Sequence, residues 1–123
     1  MILLWQNNVL LDKSKLFAIR IVNLYKYLCN DKKEYVLSKQ ILRSGTSIGA
    51  NVKESIYAQS KLDFISKLSI ALKEASETEY WLELLYQTEY VNSIQFESIH
   101  NDCVELLKLL TAIIKSSKRN LNN

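Results

Sequence analysis

The stretch RSGTSIGANVKES, residues 43–55, holds both glycines of a 123-residue chain that has no proline. Glycines beside Ser and Thr, followed by Lys, are typical of a phosphate-binding loop, whose motif is G-x-x-x-x-G-K-[ST] after a strand. Here the glycine spacing is one residue short, Ala50 and Asn51 follow Gly49, and a helical pattern precedes it. We therefore reject a nucleotide site, and we expect no small-molecule substrate.

Two other features of the sequence could carry chemistry. Glu97-x-x-His100 is half of a di-iron ligand motif, but a complete site needs two such pairs and the chain has one His. Cys29 and Cys103 belong to no C-x-x-C pattern, which favours reduced, packed thiols. Of the common hydrolase motifs, HExxH is missing, and GTSIG at residues 45–49 matches GxSxG in its letters only, because it lies inside a helical pattern and not on the strand-to-helix turn that the motif requires. The sequence predicts no metal, no cofactor and no enzyme.

The elements that must position these residues are helices. Four segments repeat their apolar residues at helical spacing, at about 14–29, 36–59, 62–88 and 93–117, and short polar turns join them. Residues 1–11 and 118–123 read as extensions. The predicted fold is all-α, a single domain over 1–123 that forms an antiparallel up-down-up-down four-helix bundle.

The second predicted helix combines small residues with a polar edge. Gly45 and Gly49 stand one turn apart, so they either let a neighbouring helix come close or allow a bend at Gly49. Arg43 begins a polar edge on this helix, and the third predicted helix offers Glu74 and Glu77, one turn apart. This edge is either a solvated face or an interhelical network in which Arg43 pairs with a carboxylate. The other members of the edge are Ser47, Asn51 and Glu54, with Asn51 expected to hydrogen-bond beside the pair.

Charge is unevenly placed along the chain. Residues 12–67 carry eleven Lys/Arg and five Asp/Glu, whereas residues 68–123 carry five and eight, and the net charge is +3. The asymmetry indicates either a basic face for RNA or DNA or two halves that attract each other. On composition alone, the candidate nucleic-acid-binding residues are Lys13, Arg20, Lys39, Arg43, Lys53, Lys61 and Lys67.

Apolar residues exceed what one small bundle needs. Between Leu16 and Leu28 only three residues are polar, which predicts a helix buried on more than one side. Trp81, Leu84 and Tyr80 add a second apolar surface, and together the two surfaces predict self-association. The tyrosines, Tyr57 among them, are not interleaved with lysines as in a base-stacking platform, so we assign them to core or interface. No apolar run is long enough to span a membrane, and MILLWQNNVLL is a poor signal peptide, so we expect a cytoplasmic protein.

The stretch QILRSGTSIGANVKESIYAQSKLDFISKLSIALKEASETEYWLELL, residues 40–85, resembles the four-helix-bundle family first named for reading frames in intervening sequences of bacterial 23S rRNA genes. The likeness extends over about 13–115. It implies a homo-oligomer, typically a pentameric ring, with no known catalytic activity. It also implies a distant likeness to the positively charged, nucleic-acid-associated accessory protein of diversity-generating retroelements.

The resemblance assigns residues to architecture rather than to chemistry. Those that match the family pattern, together with Gly49, are expected to set helix register, turns and subunit contacts. They are Arg43, Ser47, Asn51, Glu54, Asp63, Glu74, Glu77 and Trp81. Two functions remain open: a non-enzymatic accessory protein that binds nucleic acid through phosphates, or a scaffold ring that binds another protein and no nucleic acid.

Overall fold

The computed structural model of the chain describes residues 4–121, and their side chains from residue 9 onward. It has four helices: α1 (Leu4–Asn30), α2 (Leu37–Ile56), α3 (Lys61–Gln87) and α4 (Ser93–Leu121). Each helix contacts the next one in the chain, and α4 closes against α1 in the least extensive of these contacts. The predicted all-α, antiparallel up-down-up-down four-helix bundle is confirmed.

The outer helices are longer than predicted. Residues 4–11 belong to α1 and are not an extension, and Leu10 is fully buried. Likewise α4 continues to Leu121, so residues 118–121 are helical, and α2 ends at Ile56 rather than at 59. Polar residues near the start of α1 and the end of α4 look like helix ends in a sequence. In the bundle the helices continue past them, and near these ends Leu11 packs against the core and Ser117 is buried. Residues 1–3 and 122–123 lie outside the described part of the chain.

The core follows the predicted helical period closely. All the inward positions that the spacing predicts on α3 are buried, and of those that it predicts on α2 only one, Ile56, is half-buried. The predicted inward residues of α2 are Ile41, Gly45, Ile48, Val52 and Ile56. Between α2 and α3 the buried hydroxyl of Thr78 donates to the Ser44 hydroxyl at 2.9 Å, which satisfies both polar groups inside the core. The inward residues of α3 are Phe64, Leu68, Ala71, Ala75, Thr78, Leu82 and Leu85.

Side-chain hydrogen bonds cap the starts of α3 and α4. The Ser60 side chain accepts the Asp63 backbone N–H at 3.0 Å, and the Asp63 carboxylate accepts the Gln59 N–H at 3.2 Å, so Ser60 caps the start of α3. Asn92 and Gln95 form a reciprocal pair of bonds, each 2.8 Å long, at the start of α4. These caps satisfy N–H groups that helix starts leave without partners. They fix where α3 and α4 begin.

The two glycines of α2 face α1. A Cβ added at Gly45 would lie 2.7 Å from Cγ1 of Ile21, whereas one added at Gly49 would lie 3.4 Å from the Ser14 carbonyl oxygen. The Ile21 side chain therefore fills the space beside Gly45, whereas beside Gly49 the α1 backbone itself lies at contact distance, and α2 runs unbroken from Leu37 to Ile56. Of the two alternatives that the sequence left open, the structure has close packing.

Candidate assembly and polyanion surfaces

An ion-pair network joins α2 to α3 at Arg43. Its guanidinium donates to both carboxylate oxygens of Glu74, at 3.1 and 3.2 Å, and to Oε2 of Glu77 at 2.7 Å. The same Glu77 oxygen accepts the indole N–H of Trp81 at 3.0 Å. These contacts, first that of Trp81 and then that of Arg43, lower the pKa of Glu77. Of the two alternatives that the sequence left open for this edge, Arg43 has the interhelical pairing.

The rest of the polar edge does not join this network. Asn51 donates to the Ser47 carbonyl at 2.9 Å, and Ser47 donates to the Arg43 carbonyl, so both side chains bond within α2. The prediction that Asn51 hydrogen-bonds beside the interhelical pair is therefore wrong, because its amide bonds to a carbonyl one turn earlier in α2 and not to α3. Glu54 does cross to α3, where it pairs with Lys67 at 3.3 Å. Subunit contact by these residues stays a prediction.

The second apolar surface that the sequence predicts, on α3, is only partly exposed. Its indole is half-buried and packs against the core, and Leu84 is half-buried as well. Only Tyr80 is largely exposed, at 56%, with its ring edge-on to Trp81 at 5.1 Å between centroids. The apolar surface on α3 is therefore smaller than predicted.

The seven candidate cations do not form one surface. Lys13 pairs with Glu105 at 3.2 Å, and Arg20 pairs with Asp102 at 2.7 Å while also donating to Ser98, so both residues bridge α1 to α4. With Arg43 and Lys67, four of the seven are thus in ion pairs with acidic side chains. Lys39 lies at the start of α2, at the end of the bundle opposite to Lys53 and Lys61. Grouping the seven by composition failed because acidic partners on other helices neutralise some of them.

A different set of cations does come together. We call the half of the bundle in which α1 and α3 begin and α2 and α4 end the basic end; it comprises residues 4–15, 50–70 and 109–121. It carries eight Lys/Arg and three Asp/Glu, a net +5, whereas the other half carries eight and ten, a net −2. The entire positive excess of the chain therefore lies at the basic end.

Most cations of the basic end are free to meet a partner. Six of them are exposed, and none of the six takes part in an ion pair with another residue of the part that the structure describes. They are Lys15, Lys53, Lys61, Lys115, Lys118 and Arg119. Sequence reasoning missed Lys15, Lys115, Lys118 and Arg119. It divided the chain into halves along its length, whereas the bundle brings the start of α1 next to the end of α4.

Apolar side chains are exposed on the α1 side of the bundle. Leu16 is 63% exposed and Ile19 is 50% exposed, and both lie on the outer face of α1. Beside them, between the second half of α1 and the start of α4, is an open cleft of about 440 Å³ whose lining includes Leu24, Val91 and Ile94. Ile94 is itself 78% exposed. The apolar surplus predicted for the first helix is thus present in the outer face of α1.

The groups considered for chemistry have packing and hydrogen-bond partners within the bundle. Nε2 of His100 is 2.9 Å from a carboxylate oxygen of Glu79, on α3, and the imidazole stacks on Phe96 at 4.7 Å between ring centroids. Burial raises the pKa of the Cys103 thiol to about 12. Within residues 4–121, no three His, Cys, Asp or Glu side chains are grouped as metal ligands would be. No helix in that same range is long and apolar enough to cross a membrane.

Comparisons with known proteins place this fold in a family. The family model described as 23S rRNA-intervening sequence protein matches residues 6–112. The chain is also similar to a crystal structure of a protein with unknown function from the S23 ribosomal protein family of Bacteroides thetaiotaomicron, with 66% sequence identity and a TM-score of 0.88. That match covers 89% of this chain and 98% of the other. No curated protein matches significantly. The chain belongs to the 23S rRNA-intervening sequence protein family.

Proposed function

We propose that this protein is a non-enzymatic, self-associating bundle that holds nucleic acid by its phosphates at the basic end. The observation that carries the proposal is the net +5 of that half of the bundle, set against −2 in the other half. Its six exposed cations come from all four helices, so they surround one end of the molecule. A polyanion can meet several of them at once.

Such a site recognises the backbone and not the sequence. Lysine ammonium groups act as point charges toward phosphates, and five of the six exposed cations are lysines. Binding of this kind releases counterions, so the logarithm of the affinity falls linearly with the logarithm of salt concentration. Self-association would present several basic ends to one strand and raise the overall affinity without a new contact. The pentamer implied by the family resemblance would present five.

A salt titration tests the proposal. Affinities for an arbitrary RNA and an arbitrary duplex DNA are measured between low and physiological salt. The variant has Lys53→Gln, Lys61→Gln and Lys118→Gln, and the matched control has Lys26→Gln, Lys33→Gln and Lys39→Gln at the opposite end. We expect the first set to reduce the salt slope by about one for each phosphate that the protein no longer binds, and the control set to leave it nearly unchanged. An equal reduction in both sets, or no binding at low salt, would overturn the proposal.

A scaffold that binds another protein is the second candidate. The observation in its favour is the exposed apolar pair Leu16 and Ile19 beside the cleft between α1 and α4. Exposed apolar side chains near an apolar cleft are typical of protein-binding faces. Self-association without nucleic-acid binding at low salt would support the scaffold and exclude the first candidate.

A further inference from the structure

Tyr57 is the most exposed aromatic residue among those whose side chains the structure describes. Its side chain is 74% exposed, whereas Tyr80 is 56% and Tyr35 is 53% exposed. The backbone at this position is fixed, because the Tyr57 N–H closes α2 by donating to the Glu54 carbonyl at 3.1 Å. The ring therefore projects into solvent from a well-defined position in the connection between α2 and α3.

This position lies within the basic end. Lys53 precedes Tyr57 by one helical turn, and Lys61 begins α3 four residues later. Both lysines are exposed, and neither is in an ion pair with a described residue. The Tyr57 ring also makes no aromatic stack with any described residue, unlike Tyr86 and Tyr80, which pair with Phe96 and Trp81. The sequence assigned the tyrosines to core or interface because as a group they are not interleaved with lysines, but Tyr57 lies outside the core, between two lysines that have no ion-pair partner among the described residues.

We propose that Tyr57 stacks on an unpaired base while Lys53 and Lys61 hold the flanking phosphates, so that the basic end prefers single-stranded nucleic acid to duplex. The inference rests on the proposed function and adds the substrate class to it. A base exposes its face for stacking only when it is unpaired and unstacked, whereas phosphates are equally available in single strands and duplexes. The lysines alone would give no such preference, so the preference depends on the ring.

An anionic membrane would also attract exposed lysines around an apolar tip, which here is the connection between α2 and α3. The apolar part of this tip consists of Tyr57 and Leu62, which is 69% exposed. Stable attachment to a lipid surface depends on the apolar area that is buried in it, and two side chains on a turn bury far less than the face of an amphipathic helix. The single ring between two cations fits a nucleotide better.

The test compares single-stranded and duplex ligands across four proteins. A short oligothymidylate and a duplex of the same length are titrated against the unmodified protein, Tyr57→Ala, Tyr57→Phe and Tyr35→Ala. Tyr35→Ala is the matched control, because it removes an exposed tyrosine from the opposite end of the bundle. We expect Tyr57→Ala to weaken single-strand binding about tenfold and to leave duplex binding unchanged. Tyr57→Phe and Tyr35→Ala should bind like the unmodified protein.

Each failure of this experiment has a distinct meaning. If nucleic acid binds but Tyr57→Ala weakens both ligands equally, or neither, the stacking inference is wrong and the phosphate-binding function stands. If neither ligand binds at low salt, both proposals are wrong. A third titration uses vesicles containing phosphatidylserine. Vesicle binding that Tyr57→Ala abolishes, with oligothymidylate binding unaffected, would assign the tip to membranes. Melting curves of all four proteins should coincide, because both tyrosines lie outside the core.

Discussion

Gly45 and Gly49 stand one turn apart on α2, yet α1 approaches them differently. At Gly45 the Cγ1 and Cγ2 atoms of Ile21 already occupy the place that a methyl group would need, at 2.7 and 2.8 Å. Ile21 is β-branched and fully buried, so it has little freedom to move away. At Gly49 the closest atom would be at an ordinary contact distance of 3.4 Å. Only Gly45 is required by packing.

The first prediction is therefore that alanine has opposite effects at these two positions. Gly45→Ala should destabilise the fold by about 1–2 kcal/mol, because overpacking outweighs the gain in helix propensity. Gly49→Ala should stabilise the fold by up to about 1 kcal/mol, because alanine fits and favours the helix. Urea denaturation at a fixed protein concentration measures both. Adding Ile21→Ala to Gly45→Ala should remove the clash and give a double-mutant coupling that favours the pair. Equal stability of the two single variants would show that the close approach has no energetic weight.

At the scale of the helices, the C-terminus of α3 has an unusual residue in a common motif. Glu89 follows α3 with a φ of 68°, in the left-handed region that disfavours residues with a Cβ. The bonds there form a Schellman motif: the Tyr90 N–H donates to the Leu85 carbonyl at 2.9 Å, and the Glu89 N–H to the Tyr86 carbonyl at 3.1 Å. Glycine is the usual residue at this place. A carboxylate near a helix C-terminus is also unfavourable electrostatically.

The second prediction is that Glu89→Gly stabilises the protein by about 0.5–1 kcal/mol, after allowance for the greater freedom of glycine in the unfolded chain. Glu89→Ala is the control, because it removes the charge but keeps the Cβ, so it should recover only the electrostatic part. The measurement is the midpoint of chemical denaturation for the three proteins at one concentration. A Glu89→Ala variant as stable as Glu89→Gly would mean that the left-handed backbone costs little here.

Features that repeat along a helix could be predicted from the sequence, whereas some single contacts could not. The inward faces of the helices were predictable, because burial repeats with the helical period. The Arg43 pairing was predictable for a similar reason, since its partners lie near the same level of an adjacent helix. One cap could not be predicted. At the start of α2 the Glu34 carboxylate accepts the Ser38 N–H at 2.7 Å. Serine and asparagine are the usual signals there, and the acceptor lies outside the helix.

The basic end could not be predicted from the sequence because it depends on the topology of the bundle. Lys15 and Lys118 are far apart along the chain, and only the antiparallel arrangement places both at one end of the bundle. The Arg20 and Lys13 pairs with α4 were invisible for the same reason, because their partners lie 82 and 92 residues away. Local patterns therefore found the helices and their adjacent contacts, whereas the distribution of charge emerged only from the folded molecule.

At the scale of the whole molecule, the two exposed surfaces are separate. Leu16 and Ile19 lie side by side on the outer face of α1, near the middle of the bundle, whereas the six exposed cations of the basic end surround one end of it. An assembly formed through the outer face of α1 would leave the basic ends accessible. Removing one surface should therefore leave the other intact.

The last prediction uses this separation. Leu16→Gln with Ile19→Gln should reduce the particle to a 14.3 kDa monomer that is still helical, because both side chains lie outside the core and their removal takes away only intermolecular burial. Val36→Gln with Leu62→Gln is the control, since it removes equally exposed apolar residues elsewhere and should leave the mass unchanged. Light scattering at micromolar concentration measures the mass. The monomeric variant should also bind a short oligothymidylate as well as the unmodified protein does but bind long strands more weakly, because only an assembly engages several basic ends at once. A mass of 14.3 kDa for the unmodified protein would contradict self-association, and equally weakened binding of short and long strands would contradict the separation of the two surfaces.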